Sequence, residues 1–223
     1  MMWTVFFAYA LAAVPDGQVV SIQTADGITL SADWLPAAAG APAVLLLHMK
    51  PPENSRSSWP LSFRTLLHDD GFSVLNLDRR GAGGSGGRAE DAYVGEKGVL
   101  DARAAVQFLL DHHAGALTMI GASNGSTTAL DYAVTAAANH LPVPAKLIFL
   151  SPGEYTEHQH SLSALTLPHV FVGYPGNEAD FNQALAPAHP QWSFHAYPQG
   201  KHGTYLFASA PQVVADMRAF LKQ

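Results

Sequence analysis

The sequence contains no cysteine among its 223 residues. Disulfide bonds, thiolate nucleophiles and cysteine-ligated zinc are therefore excluded. Charged residues are also few, at 13% of the chain, and the acidic ones outnumber the basic ones by 18 to 12, which gives a net charge of −6 at pH 7. Because no cluster of Lys or Arg offsets that charge, the chain has no general attraction for phosphate backbones. We therefore expect no nucleic-acid partner.

Apolar runs long enough to cross a bilayer are also missing. The apolar segment at residues 2–12 is too short for that, and it ends on the small-x-small triplet A-L-A. It resembles a signal peptide over residues 1–14, although no Lys or Arg precedes the apolar part. We expect export to the periplasm or the medium, with an apolar arm on a cytoplasmic domain as the alternative. Residues 15–223 fit one α/β domain without stable membrane insertion.

Buried strands alternate with helical periods over most of the chain. Alternation of strands and helices predicts a mainly parallel sheet with helices on both faces, preceded here by an antiparallel hairpin that turns at A-D-G. The predicted strands are residues 18–23, 29–35, 43–48, 72–77, 117–120, 147–150, 170–172 and 192–197. The predicted helices are residues 59–68, 96–110, 126–138, 181–186 and 211–222.

Two pentapeptides match the pattern G-x-S-x-G, in which a serine sits on a sharp turn between a strand and a helix. G-A-S-N-G at residues 121–125 follows an apolar run and precedes a helical period. G-G-S-G-G at residues 83–87 has neither neighbour, because it follows the charged segment D-R-R. Since such a motif is informative only in its structural context, we interpret Ser123, rather than Ser85, as a candidate nucleophile.

Four segments together resemble the α/β-hydrolase family from about residue 18 onward. They are L-L-H-M at 46–49, D-R-R-G-A-G-G-S at 78–85, the pentapeptide at 121–125, and G-K-H-G at 200–203. The first has His-Met where the family usually has His-Gly. The resemblance implies an eight-stranded sheet and a catalytic triad in the order serine, acid, histidine.

A serine nucleophile needs a base, and His202 is the best placed of 11 histidines because it follows the last strand between two glycines. The orienting acid should follow the strand at residues 169–174. Glu178 is favoured, since it lies in the loop after that strand. Asp180 is the alternative, although it is also a natural N-cap for the next helix, and Glu154 is a third option.

The negative charge on an attacked carbonyl needs two backbone donors. By position these are the N–H groups of Asn124 and Met49. His48, Met49 and Trp59 are candidates for the substrate pocket, with core packing as the alternative. The histidine pairs at 112–113 and 158–160 lack a third ligand at useful spacing, so we expect no metal and no cofactor.

The short connection at residues 151–168 leaves no room for a cap domain, which predicts an uncapped enzyme. Without a lid there is little surface to bury a fatty chain, so short acyl esters are favoured. The expected function is a serine esterase acting on a small-molecule ester through an acyl-enzyme. A thioesterase or small peptidase with the same triad is the alternative, and a non-catalytic binding protein is the other class.

Overall fold

The computed structural model describes residues 17–223, so the expected signal peptide at residues 1–14 lies outside the described part of the chain. Eight strands form one continuous sheet. They are β1 (Gln18–Gln23), β2 (Thr29–Leu35), β3 (Ala43–Leu47), β4 (Ser73–Leu77), β5 (Leu117–Ala122), β6 (Lys146–Leu150), β7 (Val170–Pro175) and β8 (Ser193–Tyr197).

The strand order across the sheet is β1-β2-β4-β3-β5-β6-β7-β8. The pairs β1–β2 and β2–β4 are antiparallel, and every pair from β4 onward is parallel. The hairpin turns at Gly27, whose φ of +82° is readily adopted only by glycine. The predicted mainly parallel, eight-stranded sheet and its N-terminal hairpin are therefore confirmed.

Helices cover both faces of this sheet, because the side chains of each buried strand alternate between two apolar cores. The helices are α1 (Leu61–Asp69), α2 (Gly95–Asp111), α3 (Asn124–Ala136), α4 (Ala179–Leu185), α5 (Leu206–Ser209) and α6 (Gln212–Leu221). In β3, Leu45 and Leu47 pack in the core beneath α2 and α3, whereas Val44 and Leu46 pack in the core beneath α1 and α6.

Three helix starts differ by two residues from the predicted positions, and those of α2 and α6 differ by one. Helix α1 begins at Leu61, two residues late, because Pro60 takes the N-cap position. Helix α3 begins at Asn124 instead of residue 126, so it follows Ser123 directly. Helix α4 begins at Ala179 instead of residue 181, which changes the place of both candidate acids.

The connection between β6 and β7 is short, as the sequence predicts. Its only helical element within the described chain is the 3-10 turn Leu162–Ala164, and no cap domain is inserted there. The carboxyl ends of β5, β6, β7 and β8 therefore remain uncovered by an additional layer. Across residues 17–223, no helix combines the length and the hydropathy that crossing a bilayer requires.

Candidate active site

Ser123 occupies a strained turn between β5 and α3. Its backbone has φ 50° and ψ −124°, a region that L-residues rarely adopt. The two flanking glycines allow this turn, because a Cβ on Gly121 would lie 2.5 Å from the carbonyl oxygen of Gly125. A Cβ on Gly125 would lie 2.2 Å from the carbonyl oxygen of Leu47. Both contacts are far below van der Waals distance, so the local backbone requires glycine at each position.

His202 and Glu178 form a direct pair at the carboxyl edge of the sheet. The Nδ1 of His202 lies 2.6 Å from Oε1 of Glu178. Because an ionised carboxylate only accepts hydrogen bonds, Nδ1 carries the proton in this pair and Nε2 is the remaining ring nitrogen. Glu178 reaches this position from the turn that directly follows β7.

Asp180, the alternative acid, is placed differently from the expectation. It lies exposed in the first turn of α4, whereas Glu178 occupies the N-cap position and makes no side-chain capping bond. The expectation that Asp180 caps this helix is therefore wrong, because α4 starts earlier than its apolar period indicates.

Residues at the end of β6 form hydrogen bonds both to the turn that carries Ser123 (the serine turn) and to the loop that carries His202 (the histidine loop). The N–H of Ser123 donates to the carbonyl of Leu150 at 2.8 Å. The next residue, Ser151, is fully buried, and its hydroxyl accepts from the N–H of Gly203 at 2.9 Å. A Cβ on Gly203 would lie 3.8 Å from Cβ of Ala122, so the loop carrying the histidine runs against the strand end that carries the serine. Ser151 was not identified from the sequence, in which it is one serine of a polar loop.

The two expected backbone donors lie at the ends of neighbouring elements. Met49 follows β3, and Asn124 is the first residue of α3, whose N–H has no acceptor within the helix. Since β3 and β5 are paired in register, with Leu47 opposite Gly121, both segments end at the same edge of the sheet. The helix dipole of α3 adds partial positive charge at this edge, which favours an anion there.

Residues 54–219 match the family model described as serine aminopeptidase, S33, which covers most of the chain. The chain belongs to this family of α/β-hydrolases. Solved structures agree with that fold. An esterase from Pyrococcus furiosus superposes with a TM-score of 0.72 at 18% identity, covering 92% of this chain and 90% of that one. A thermophilic esterase from Thermogutta terrifontis superposes with a TM-score of 0.71 at 18% identity, covering 92% and 98%.

Two further similarities of this S33 family member are to bacterial proteins. An esterase from a Rhodococcus species superposes with a TM-score of 0.70 at 14% identity, covering 92% of this chain and 98% of that one. An uncharacterized protein of Mycobacterium tuberculosis is 32% identical over 148 residues, which are 64% of this chain and 48% of the relative. The match thus spans about half the length of that curated relative.

His48 and Trp59 are fully buried in this S33 member, so neither offers surface to a substrate in this conformation. The Nε2 of His48 accepts from the N–H of Arg79 at 2.9 Å, and its Nδ1 donates to the carbonyl of Met49 at 2.7 Å. Burial and the nearby charge of Arg79 lower the pKa of His48 to about 3. In this structure both residues pack in the interior instead of lining a pocket. His48 joins two loops, and Trp59 stacks on Phe63 at a centroid distance of 6.3 Å.

The serine of the second pentapeptide has a bonded hydroxyl. Ser85 donates to the carbonyl of Asp78 at 2.6 Å and accepts from the N–H of Ser31 at 2.8 Å. These bonds attach the glycine-rich loop to the end of β4, through Asp78, and to β2, through Ser31. The hydroxyl of Ser85 is thus held by two hydrogen bonds to neighbouring backbone, whereas Ser123 lies on the strained turn.

Tyr155 lies beside the histidine and was not identified from the sequence. Its ring meets that of His202 edge to face, with centroids 5.9 Å apart. Burial, together with the neighbouring carboxylate of Glu178, raises the pKa of Tyr155 to about 12, so its hydroxyl stays neutral at ordinary pH. A cleft of about 470 Å³ runs from Tyr155 past Glu178 to Phe181.

The other histidine clusters have local partners. The Nδ1 of His112 donates to the carbonyl of Phe108 at 2.8 Å, and His158 lies 3.3 Å from Glu96. His160 bonds the buried carboxylate of Asp131 at 2.9 Å. In the part of the chain that the structure describes, no three His, Asp or Glu side chains are grouped as metal ligands.

Proposed function

We propose that this chain is a serine-dependent carboxylic ester hydrolase in which Ser123, Glu178 and His202 form the catalytic triad. The observation that carries the proposal is the 2.6 Å pair between His202 Nδ1 and Glu178 Oε1, on the loop fastened to the strained serine turn. A carboxylate at Nδ1 fixes the tautomer in which Nε2 can accept the proton of a serine.

The reaction then follows from the positions of these groups. Ser123 Oγ attacks the ester carbonyl while its proton passes to Nε2 of His202, and Glu178 stabilises the imidazolium that forms. The N–H groups of Met49 and Asn124 donate hydrogen bonds to the developing oxyanion. The alcohol leaves with the proton from His202, and a water molecule activated by the same nitrogen releases the acid from Ser123.

The proposed substrates are esters with short acyl chains. The connection between β6 and β7 carries no cap, and the cleft beside Glu178 is open and lined by Tyr155 and Phe181, both partly exposed. Such a surface can contact a small acyl or aryl group. It offers little area to enclose a long alkyl chain, whose burial would supply about 0.8 kcal/mol per methylene.

A peptidase is the second candidate, because the S33 family model is described as serine aminopeptidase. An amide needs the same nucleophile and base, with a protonated nitrogen as the leaving group. A thioesterase differs only in its leaving group. Esterase, peptidase and thioesterase activity therefore differ in the substrate that is cleaved, and the triad alone does not distinguish them.

A fluorophosphonate probe tests whether the serine is reactive. We expect the probe to label the wild-type protein. Ser123→Ala should abolish labelling and lower the rate of p-nitrophenyl acetate hydrolysis by about a thousandfold or more. Ser85→Ala should keep both. Parallel assays with an acetyl thioester and aminoacyl p-nitroanilides rank the leaving groups. Loss of labelling in Ser85→Ala alone, or a wild type that stays unlabelled, would reject the proposal.

A further inference from the structure

Arg79 places a buried guanidinium directly behind the two proposed oxyanion donors. Its side chain is fully buried, and Nη1 donates to the carbonyl of His48 at 3.3 Å and to Oδ1 of Asn124 at 2.7 Å. Nη2 donates to the carbonyl of Ala92 at 3.1 Å and to Oγ1 of Thr128 at 2.8 Å. All four acceptors are neutral, although buried charges are usually paired with a carboxylate.

The neighbouring arginine shows the usual arrangement. Arg80 bonds Asp101 at 2.8 Å and Asp26 at 2.9 Å, so the nearby carboxylates are taken by that side chain. Among the residues that the structure describes, no carboxylate oxygen lies in a salt bridge with Arg79. Its positive charge is therefore left uncompensated at hydrogen-bonding distance, in a buried site where charge interactions are strong.

The bond from Arg79 to the His48 carbonyl fixes the direction of the Met49 N–H. In a trans peptide the C=O and the following N–H point in opposite directions, so holding the oxygen aims the hydrogen away from Arg79. A donor on the oxygen also polarises the peptide and strengthens the N–H as a donor. The ring of His48 adds a second restraint, because it bonds both Arg79 N–H and the carbonyl of Met49.

The bond from Arg79 to Asn124 positions the other donor. Asn124 begins α3, and its side chain is held between Arg79 and Oγ1 of Thr156, which it reaches at 2.7 Å. Gly125 brings the same turn of α3 against β3, since a Cβ there would lie 2.5 Å from the His48 carbonyl oxygen. One guanidinium thus contacts the peptide that carries the first donor and the side chain of the residue that carries the second.

We propose that Arg79 is a positioning residue that holds the N–H groups of Met49 and Asn124 as an oxyanion hole and adds positive charge behind them. The inference rests on the proposed function. It goes further, because it assigns oxyanion stabilisation to a side chain that does not touch the substrate. A structural tie between loops would instead support folding alone and leave transition-state binding unchanged.

Two substitutions at Arg79 and one at a partner separate these roles. Arg79→Met removes the charge and all four bonds at similar volume, and Arg79→Lys keeps the charge but loses the planar fork. Thr128→Val removes a bond on the side of the guanidinium away from the donors. Each variant is measured for kcat and KM on p-nitrophenyl acetate, for inhibition by an aryl trifluoromethyl ketone that forms a tetrahedral adduct, and for its melting temperature.

For Arg79→Met we expect kcat to fall about ten- to a hundredfold, with KM within about threefold of wild type, because a preorganised charge acts on the transition state. The ketone should lose affinity by a similar factor. Arg79→Lys should lie between Arg79→Met and wild type. Thr128→Val should lower the melting temperature and keep kcat within about twofold.

The outcomes are separable. If Arg79→Met does not fold, the comparison of Arg79→Lys with Thr128→Val decides, and a loss of kcat and ketone affinity confined to Arg79→Lys supports the proposal. Unchanged kcat and ketone affinity in both arginine variants, or losses in Thr128→Val as large as theirs, overturn it while the proposed function stands. A wild type without esterase activity or fluorophosphonate labelling overturns the proposed function itself.

Discussion

A single strained residue, Ser123, joins the sheet to the helix that follows it. A backbone with φ 50° and ψ −124° costs on the order of 1–3 kcal/mol, and the surrounding structure must supply that energy. Here the N–H of Ser123 is bound by Leu150, and its carbonyl accepts from the hydroxyl of Ser126 at 2.6 Å. These bonds over-determine the turn, so the serine keeps one orientation toward the carboxyl edge of the sheet.

Glu178 and Asp180 lie two residues apart but have different surroundings. Glu178 bonds His202, whereas Asp180 is exposed in the first turn of α4. We predict that Glu178→Gln lowers kcat by orders of magnitude, because the imidazolium loses its carboxylate. Asp180→Asn should remove only a favourable charge at a helix N-terminus, about 0.3–1 kcal/mol of stability. Paired kinetics and thermal melts test this; near-normal turnover in Glu178→Gln with an inactive Asp180→Asn would reverse the assignment.

Burial of His48 is expected to make the folded protein less stable in acid. Its pKa is lowered to about 3 in the folded protein by burial and by Arg79, whereas an unfolded histidine titrates near about 6.5. Between these values the unfolded state binds more protons, so the free energy of unfolding falls as the pH falls.

We therefore predict that stability declines below about pH 6.5, with His48 contributing up to about 1.4 kcal/mol per pH unit. The variant His48→Gln removes this proton uptake and should show a shallower decline between pH 6.5 and 4, even though it is less stable at pH 7. Urea unfolding at several pH values measures both slopes. Equal slopes in the two proteins would show that His48 does not titrate in this way.

At the scale of elements, α3 packs on β3 through a glycine. A Cβ on Gly125 would lie 2.2 Å from the carbonyl oxygen of Leu47 and 2.5 Å from that of His48, and neither backbone group can move without shifting β3. This contact sets the distance between the two segments that carry the proposed oxyanion donors. The second pentapeptide supplies a matched control, since a Cβ on Gly86 meets nothing closer than 3.5 Å.

We predict that Gly125→Ala loses both stability and activity, by more than about 2 kcal/mol and more than about tenfold in kcat, because overpacking displaces α3 from β3. Gly86→Ala should stay within about 0.5 kcal/mol of wild type and keep its kcat. Melting temperatures and kcat for the two variants check this. A stable, active Gly125→Ala would mean that the helix can shift without affecting the site.

For the whole molecule, the proposed preference for short acyl groups follows from the uncapped edge of the sheet. We predict that acetyl to butyryl p-nitrophenyl esters are hydrolysed faster than dodecanoyl esters, because no covering surface buries the additional methylenes. EDTA should leave the rates unchanged, since the proposed mechanism uses only side chains and backbone donors. A kcat/KM series over chain length measures the preference, and a steady rise toward long chains or inhibition by EDTA would contradict the uncapped, metal-free mechanism.

The sequence by itself determined the architecture, because hydrophobic period and turn residues are local properties. The continuous apolar run of β3 identified a strand buried on both faces, and the A-D-G turn identified the hairpin. The pentapeptide at residues 121–125 was placed correctly between a strand and a helix. The apolar period alone does not predict the first two residues of α3 or of α4, because neither helix begins with a side-chain capping bond.

Only the tertiary structure decided which side chains are buried together. Whether His48 faces a ligand or a neighbouring loop depends on Arg79, which lies on a different strand end. Ser151 became a link between the serine turn and the histidine loop through a bond to Gly203, 52 positions away. Hydrogen bonds between distant segments leave no periodicity in the sequence, because their geometry follows from the packing of the sheet and not from neighbouring residues.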